Sequence, residues 1–130
     1  MSETVQVEKV EFCSDSRGWV IEPISEERLS TQRNVHVVLT EPGGIRGNHY
    51  HERSTEVFVV MGPGLVRIRE AGGIRDVRVP EGEAFRFMIP PGTPHAIHNP
   101  GTRPMLLMAF NSLPHDRAHP DTKPDVLIQK

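Results

Sequence analysis

Apolar and polar residues alternate in short runs along most of the chain, and proline, glycine and asparagine cut the runs off about every ten residues, the rhythm of an all-β sandwich or barrel. Residues 5–12 alternate, with the apolar parity shifting between Val7 and Val10, which predicts an edge strand with a bulge or break. Residues 14–18 carry turn chemistry, 19–24 predict a short strand, and the polar stretch 26–32 predicts one helical turn or a loop. A strand is expected over 34–40, followed by a turn at Pro42, Gly43 and Gly44. Further strands are expected over 48–52, 55–61, 65–70, 75–79, 84–89, 95–98 and 104–110. There is no solenoid-type repeat, and no strand–helix alternation of the kind that builds a parallel sheet. From residue 111 the character changes. Pro114, Pro120 and Pro124 sit among His115, Asp116, Arg117, His119 and Asp121, which predicts an extended arm. Val126, Leu127 and Ile128 are its expected anchor, on the barrel or on a second subunit.

Composition narrows the picture. At 130 residues the chain is one domain, 1–130, able to bury about two-thirds of its unfolded surface without a disulfide. A single cysteine, Cys13, excludes an internal disulfide and fits a reducing cytoplasm. The first residues show no basic and apolar leader, and no apolar run approaches the ~18 residues of a membrane span. A net charge of −2 leaves no electrostatic footprint for nucleic acid or an anionic membrane. Twelve prolines and eleven glycines speak for many strands joined by turns.

The candidate chemistry lies in two stretches. In the first, His49 and His51 are two residues apart and Glu56 follows five later. On a strand, side chains two apart leave the same face, with Cβ atoms about 6.5 Å apart. Two such imidazoles can converge on one metal ion at about 2.0–2.1 Å from each nitrogen. A short turn after His51 lets the next strand bring Glu56 to the same centre. The second stretch, 90–99, offers His95 after a proline- and glycine-rich turn. Three nitrogens and one carboxylate make a metal site with room for substrate or water. A lone histidine on a strand is usually structural or solvated, which is the reading for His36, His98, His115 and His119. His98 lies at odd offset from His95 and faces the other way on a regular strand. Phe85 and Phe87 share a face and read as core. Arg67 and Arg69 form a row facing either solvent or the cavity.

Gly43-x5-His49-x-His51-x4-Glu56 and Pro90-x-Gly92-x2-His95-x3-Asn99 resemble the two cupin motifs, in the right order and with matching spacings over residues 34–110. One departure is the glycine after Glu56: Pro63 occupies its usual position, with Gly62 and Gly64 on either side. The resemblance implies a double-stranded β-helix, a jelly-roll-like barrel with extended N- and C-terminal arms, usually a homodimer. It implies one divalent metal ion inside one end, held by His49, His51, Glu56 and His95. Zinc is the first expectation, and manganese, iron, cobalt or nickel also suit the ligand set.

A narrower resemblance bears on the chemistry. Residues 42–51, 56–60 and 66–69, with Phe110-Asn111-Ser112 and Pro120-Asp121-Thr122 in the tail, are similar to the C-terminal cupin domain of the bifunctional UDP-sugar reductase/epimerase of capsular polysaccharide synthesis. They are similar more loosely to nucleotide-sugar ketoisomerases and epimerases. This implies an isomerase or epimerase acting on a nucleotide-linked keto-sugar, with His49, His51 and Glu56 as catalytic residues and Arg46 and Asn48 as substrate contacts. Arg46 either holds a diphosphate or forms a salt bridge at the barrel mouth. The only tyrosine, Tyr50, lies between the two histidines and should face away from them, which favours a metal mechanism over a tyrosine acid. Two other classes remain open at this stage: a metal-dependent dioxygenase, and a non-catalytic cupin that binds a small ligand.

Overall fold

The structure, a computed structural model, describes residues 4–130. In chain order its elements are β1 (Gln6–Val10), β2 (Cys13–Asp15), β3 (Gly18–Val20), α1 (Glu26–Leu29), β4 (Asn34–Thr40), β5 (Ile45–His51), β6 (Glu56–Met61), β7 (Gly64–Glu70), β8 (Gly73–Val79), β9 (Ala84–Ile89), β10 (His95–His98), β11 (Met105–Asn111) and β12 (Thr122–Pro124). Strand pairing is antiparallel throughout. One five-stranded sheet has the order β1-β9-β6-β11-β4 and the other β12-β5-β10-β7-β8, while β2 and β3 form a separate hairpin. The two large sheets share no strand among the described residues, so the expected barrel is an open two-sheet sandwich.

Alternation along each strand sends one face to the space between the sheets. Phe58 and Val60 on β6, Phe87 and Ile89 on β9, and Leu107 and Ala109 on β11 meet Val66 and Ile68 on β7, Val79 on β8 and Ile97 on β10 in one cluster. The rings of Phe58 and Phe87 stack with centroids 5.1 Å apart. Truncating either to alanine should cost about 3–5 kcal/mol, the range for aromatic residues in a core. The first sheet is also covered on its outer side. There Val57 and Val59 pack under Phe12, Ile21 and Ile24 of the N-terminal segment, which explains why β6 reads as one continuous apolar run.

Several boundaries differ from expectation for physical reasons. Residues 21–24 find no partner strand, and Ile24 serves as a plug on the outer face instead. The strand of the first motif begins at Ile45 rather than at 48, because a bulge carries the pairing through Gly47 and Asn48. The turn at Gly62 and Pro63, where the motif departs from the cupin pattern, is a tight link with a cis Gly62–Pro63 peptide. The arm is less detached than its prolines suggest. Thr122–Pro124 adds an edge strand beside β5, and Ile128 is buried, as its anchoring role required. Arg67 reaches the Leu127 carbonyl and Arg69 lies 3.6 Å from Asp125, so the arginine row of β7 receives the arm.

β4 reverses the usual polarity of an edge strand. Val35, Val37 and Leu39 are 58%, 61% and 48% exposed. The opposite row takes the inner side of the strand: Val38 packs against the core and Thr40 is buried, while His36, opposite Ala109, stays exposed.

Candidate metal centre

The bulge in β5 sets the first two histidines. Pairing runs from His95 opposite His49 to Ala96 opposite Gly47, so Asn48 is the extra residue. Gly47 and Asn48 have φ of 80° and 56°, the left-handed region that favours glycine and tolerates asparagine. A Cβ on Gly47 would lie 2.9 Å from the His95 carbonyl oxygen, so the close approach of β5 to β10 depends on glycine. His95 opens β10 directly after the turn at Pro90–Pro94. That turn is pinned to the first motif by a 2.7 Å bond from Gly92 N–H to the His51 carbonyl. Glu56 arrives from the other sheet, at the start of β6.

The ligand-type nitrogens of His49, His51 and His95 all lie within 4.8 Å of one another. Ring centroids are 5.0 Å apart for His49 and His95 and 5.2 Å apart for His49 and His51. Glu56 is buried beside them, with Oε2 3.4 Å from His51 Nε2 and Oε1 3.2 Å from His95 Nε2. Neither Nε2 has a hydrogen-bond partner although both are buried. His95 Nδ1 donates to the Thr93 carbonyl at 3.0 Å, which leaves Nε2 as the atom with the lone pair. Buried nitrogens without partners, an imidazole fixed by a backbone carbonyl, and a facing carboxylate suit a divalent ion of the zinc, manganese, iron, cobalt or nickel type.

Electrostatics separates His49, His51 and Glu56 within the cluster. Burial, then the neighbouring His95, pushes His49 down to about 4, with His51 adding to the fall against the pull of Glu56. Burial also opposes charge on His51, but Glu56 and then Asp121 outweigh it and raise its value. Burial opposes charge on Glu56, yet the His51 and His95 rings together hold its carboxyl well below the usual carboxylate range. The carboxylate is therefore ionised and ready for a cation.

The cluster opens into a cavity of about 410 Å³. One wall consists of Asn34, His36, His49, His51, Glu56 and Asn111 from the strands. Leu113, Pro114, His115, Asp116, His119, Pro120, Asp121 and Thr122 of the arm form the other, with Arg53 and Ser54 between. Asp121 joins the two walls. Its carboxylate accepts from the backbone N–H of Ser54 at 2.9 Å and of Arg53 at 3.1 Å, and lies 3.7 Å from His51 Nδ1.

The structure thus brings His49, His51, Glu56 and His95 together. Arg46 and Asn48 lie apart from the cavity. The Arg46 guanidinium bonds the Leu39 carbonyl and Thr40 Oγ1. Asn48 accepts from the N–H groups of Leu127 and Ile128 and donates to the Ile128 carbonyl, so it ties down the arm. Tyr50 and His98 are absent from the lining. His36, His115 and His119, read from the sequence as structural or solvated, all line the cavity, as do Asp116 and Asp121. The signal for Asp121 was its place in the tail triplet Pro120-Asp121-Thr122. The polar row Asn34, His36 and Thr40 on an edge strand was the signal for His36.

An all-β double sheet with two motif-borne histidines on one strand, a third on its neighbour and a carboxylate from the facing sheet is a cupin. The chain belongs to the family of polysaccharide biosynthesis C-terminal domains, whose family model matches residues 13–123. It is 30% identical over 113 residues to a UDP-2-acetamido-2,6-beta-L-arabino-hexul-4-ose reductase of Pseudomonas aeruginosa, a match covering 84% of this chain and 29% of that protein. Among solved structures it is similar to the capsular polysaccharide assembling protein CapF of Staphylococcus aureus, with 27% identity and a TM-score of 0.67 over 91% of this chain and 33% of CapF. The chain spans about a third of the length of these two relatives. The fold is also that of ChmJ, a 3'-monoepimerase of Streptomyces bikiniensis solved with dTDP-quinovose, with 19% identity and a TM-score of 0.76 over 92% of this chain and 68% of ChmJ.

Proposed function

We propose that this chain binds one divalent metal ion, zinc in the first instance, and isomerises or epimerises a nucleotide-linked keto-sugar in cell-surface polysaccharide synthesis. The reading is carried by the two buried Nε2 atoms of His51 and His95, which lack partners and face Glu56 beside His49. His49, His51 and His95 would hold the ion, with Glu56 as a fourth ligand or as a carboxylate that orients the rings. Bound there with an open position, the ion supplies Lewis acidity to a sugar carbonyl. The chain's own residues hold the sugar against the strand wall and exclude water from it with the arm.

The charge of the cavity bears on how such a substrate lies. Arg53 is the single Lys or Arg side chain in its lining, against the carboxylates of Glu56, Asp116 and Asp121. A diphosphate finds little to hold it there, so the keto-sugar enters and the nucleotide stays outside. The exposed apolar row Val35, Val37 and Leu39, joined by Leu106 on β11, supports a homodimer formed at the β4 edge, because such a strand otherwise offers a bare template for pairing. The exposed free thiol of Cys13 supports a cytoplasmic setting. No helix among the described residues is long and apolar enough to cross a membrane.

The test is elemental analysis per subunit of protein purified without chelator, followed by solvent-deuterium wash-in to keto-sugar nucleotides followed by NMR. The expected result is about one equivalent of zinc and wash-in at the carbon next to the carbonyl. Failure to take up any divalent ion after reconstitution overturns the metal centre. Oxygen consumption by iron-loaded protein, without wash-in, overturns the isomerase reading in favour of an oxygenase.

A further inference from the structure

Resting on the keto-sugar reading above, one question is which group takes the proton beside the carbonyl. A ring nitrogen that ligates an ion has no lone pair left for this, which removes His49, His51 and His95. Glu56 is enclosed between His51 and His95. The Asp121 carboxylate is engaged by the backbone of Arg53 and Ser54. Asp116 accepts from the N–H groups of Ala118 and His119 and caps its own turn, and the His119 ring, 3.4 Å from it, is 87% exposed.

His36 is placed differently. It is also exposed, but it sits on a strand, β4, opposite Ala109, and lines the cavity that His49 and His51 line without belonging to their cluster. Its Nδ1 lies 3.1 Å from Asn34 Oδ1. That oxygen only accepts, so Nδ1 carries the hydrogen and Nε2 keeps the lone pair. A strand-borne imidazole with one nitrogen tied by a neighbour two residues away is an oriented acceptor, whereas His115 rides on the arm. We propose that His36 is the catalytic base of this site, its Nε2 taking the proton from the carbon next to the substrate carbonyl.

The step balances without an oxidant or reductant. The C–H bond breaks and its proton goes to Nε2. The bonding pair forms the carbon–carbon double bond of an enolate, and the carbonyl π pair moves to oxygen. Return of a proton to carbon, from Nε2 or from water that has exchanged with it, restores the ketone. Exchange with solvent at that carbon is therefore the direct readout.

The experiment uses zinc-loaded full chain and a UDP-linked 2-acetamido-4-keto-6-deoxyhexose as probe, with deuterium wash-in followed by NMR. His36→Gln and His36→Asn should each slow wash-in at saturating probe by about a hundredfold or more, the low end of general-base contributions, with zinc content and KM unchanged. Wash-in in folded, zinc-bound variants close to that of the wild type overturns the assignment while leaving the keto-sugar reading intact. A zinc-bound wild type that exchanges nothing overturns both. Independently of any variant, long-range nitrogen NMR of histidine-labelled zinc protein should show His36 protonated at Nδ1 and bare at Nε2. The opposite tautomer overturns the assignment.

Discussion

One wall of the cavity consists of strands tied into two sheets along their length, while the facing wall is an arm held at a few points. The strand wall carries His49, His51 and Glu56, with His95 beside them outside the lining, and Glu56 and His95 are almost wholly buried. The arm wall carries His115, Asp116 and His119, all exposed, and is fastened by Asp121, by β12 and by Asn48. The cluster is made of groups that the sheets hold in place. Exposed groups on a proline-rich segment line the facing side. Asp121 is the point where the two meet.

The largest expected effect falls on the strand wall. His49→Ala should abolish metal binding while leaving the sheets folded, read by elemental analysis beside circular dichroism. Metal content near that of the wild type would remove His49 from the centre. Acidification comes next. Proton and metal compete for the same nitrogen, and the proton is held more tightly on His51 than on an ordinary imidazole. Affinity should therefore begin to fall above pH 6.5, by up to about tenfold per pH unit for the one proton on His51. His49, with its value near 4, should add its own proton only at that lower pH. Titration with a metal-sensitive dye across pH 8 to 4 checks both parts, and a curve flat down to pH 5 would contradict the first.

Gly47→Ala should lower stability by about 2 kcal/mol or more, since it combines a left-handed backbone with a Cβ driven against the His95 carbonyl. Thermal denaturation of the metal-free protein reads this. On the arm side, Asp121→Asn should weaken metal binding about tenfold, the lower end of the effect of removing a carboxylate partner from a ligating histidine. Smallest is Asn48→Ala, which should leave metal content unchanged and cost about 1–3 kcal/mol of stability from unmade hydrogen bonds. Faster proteolysis after residue 111 is its signature. A large metal loss in this variant would show that the two walls are not separable.

The same division explains what was legible in the sequence. The bounds of β4, β9 and β10 match expectation residue for residue, because proline and glycine turns stop each run and alternation is a local property. The clustering of His49, His51, Glu56 and His95 was legible from their fixed spacings on β5, β6 and β10. The bulge at Gly47 and Asn48 was not, because it comes from register against β10. Nor was β12, a three-residue strand ending in proline whose pairing partner lies far back in the chain. His36 is exposed, as the solvated reading expected, but its place in the cavity lining was not legible. On β4 the apolar row Val35, Val37 and Leu39 faces outward, so alternation gives no sign of which side the histidine takes.

Asp121 closes its contacts with Arg53 across 68 residues of sequence, and it does so with a few hydrogen bonds at the rim of the fold. Contacts of that kind break in local openings that cost far less than global unfolding. Local opening of the arm at this rim runs on a clock independent of the melting of the two sheets.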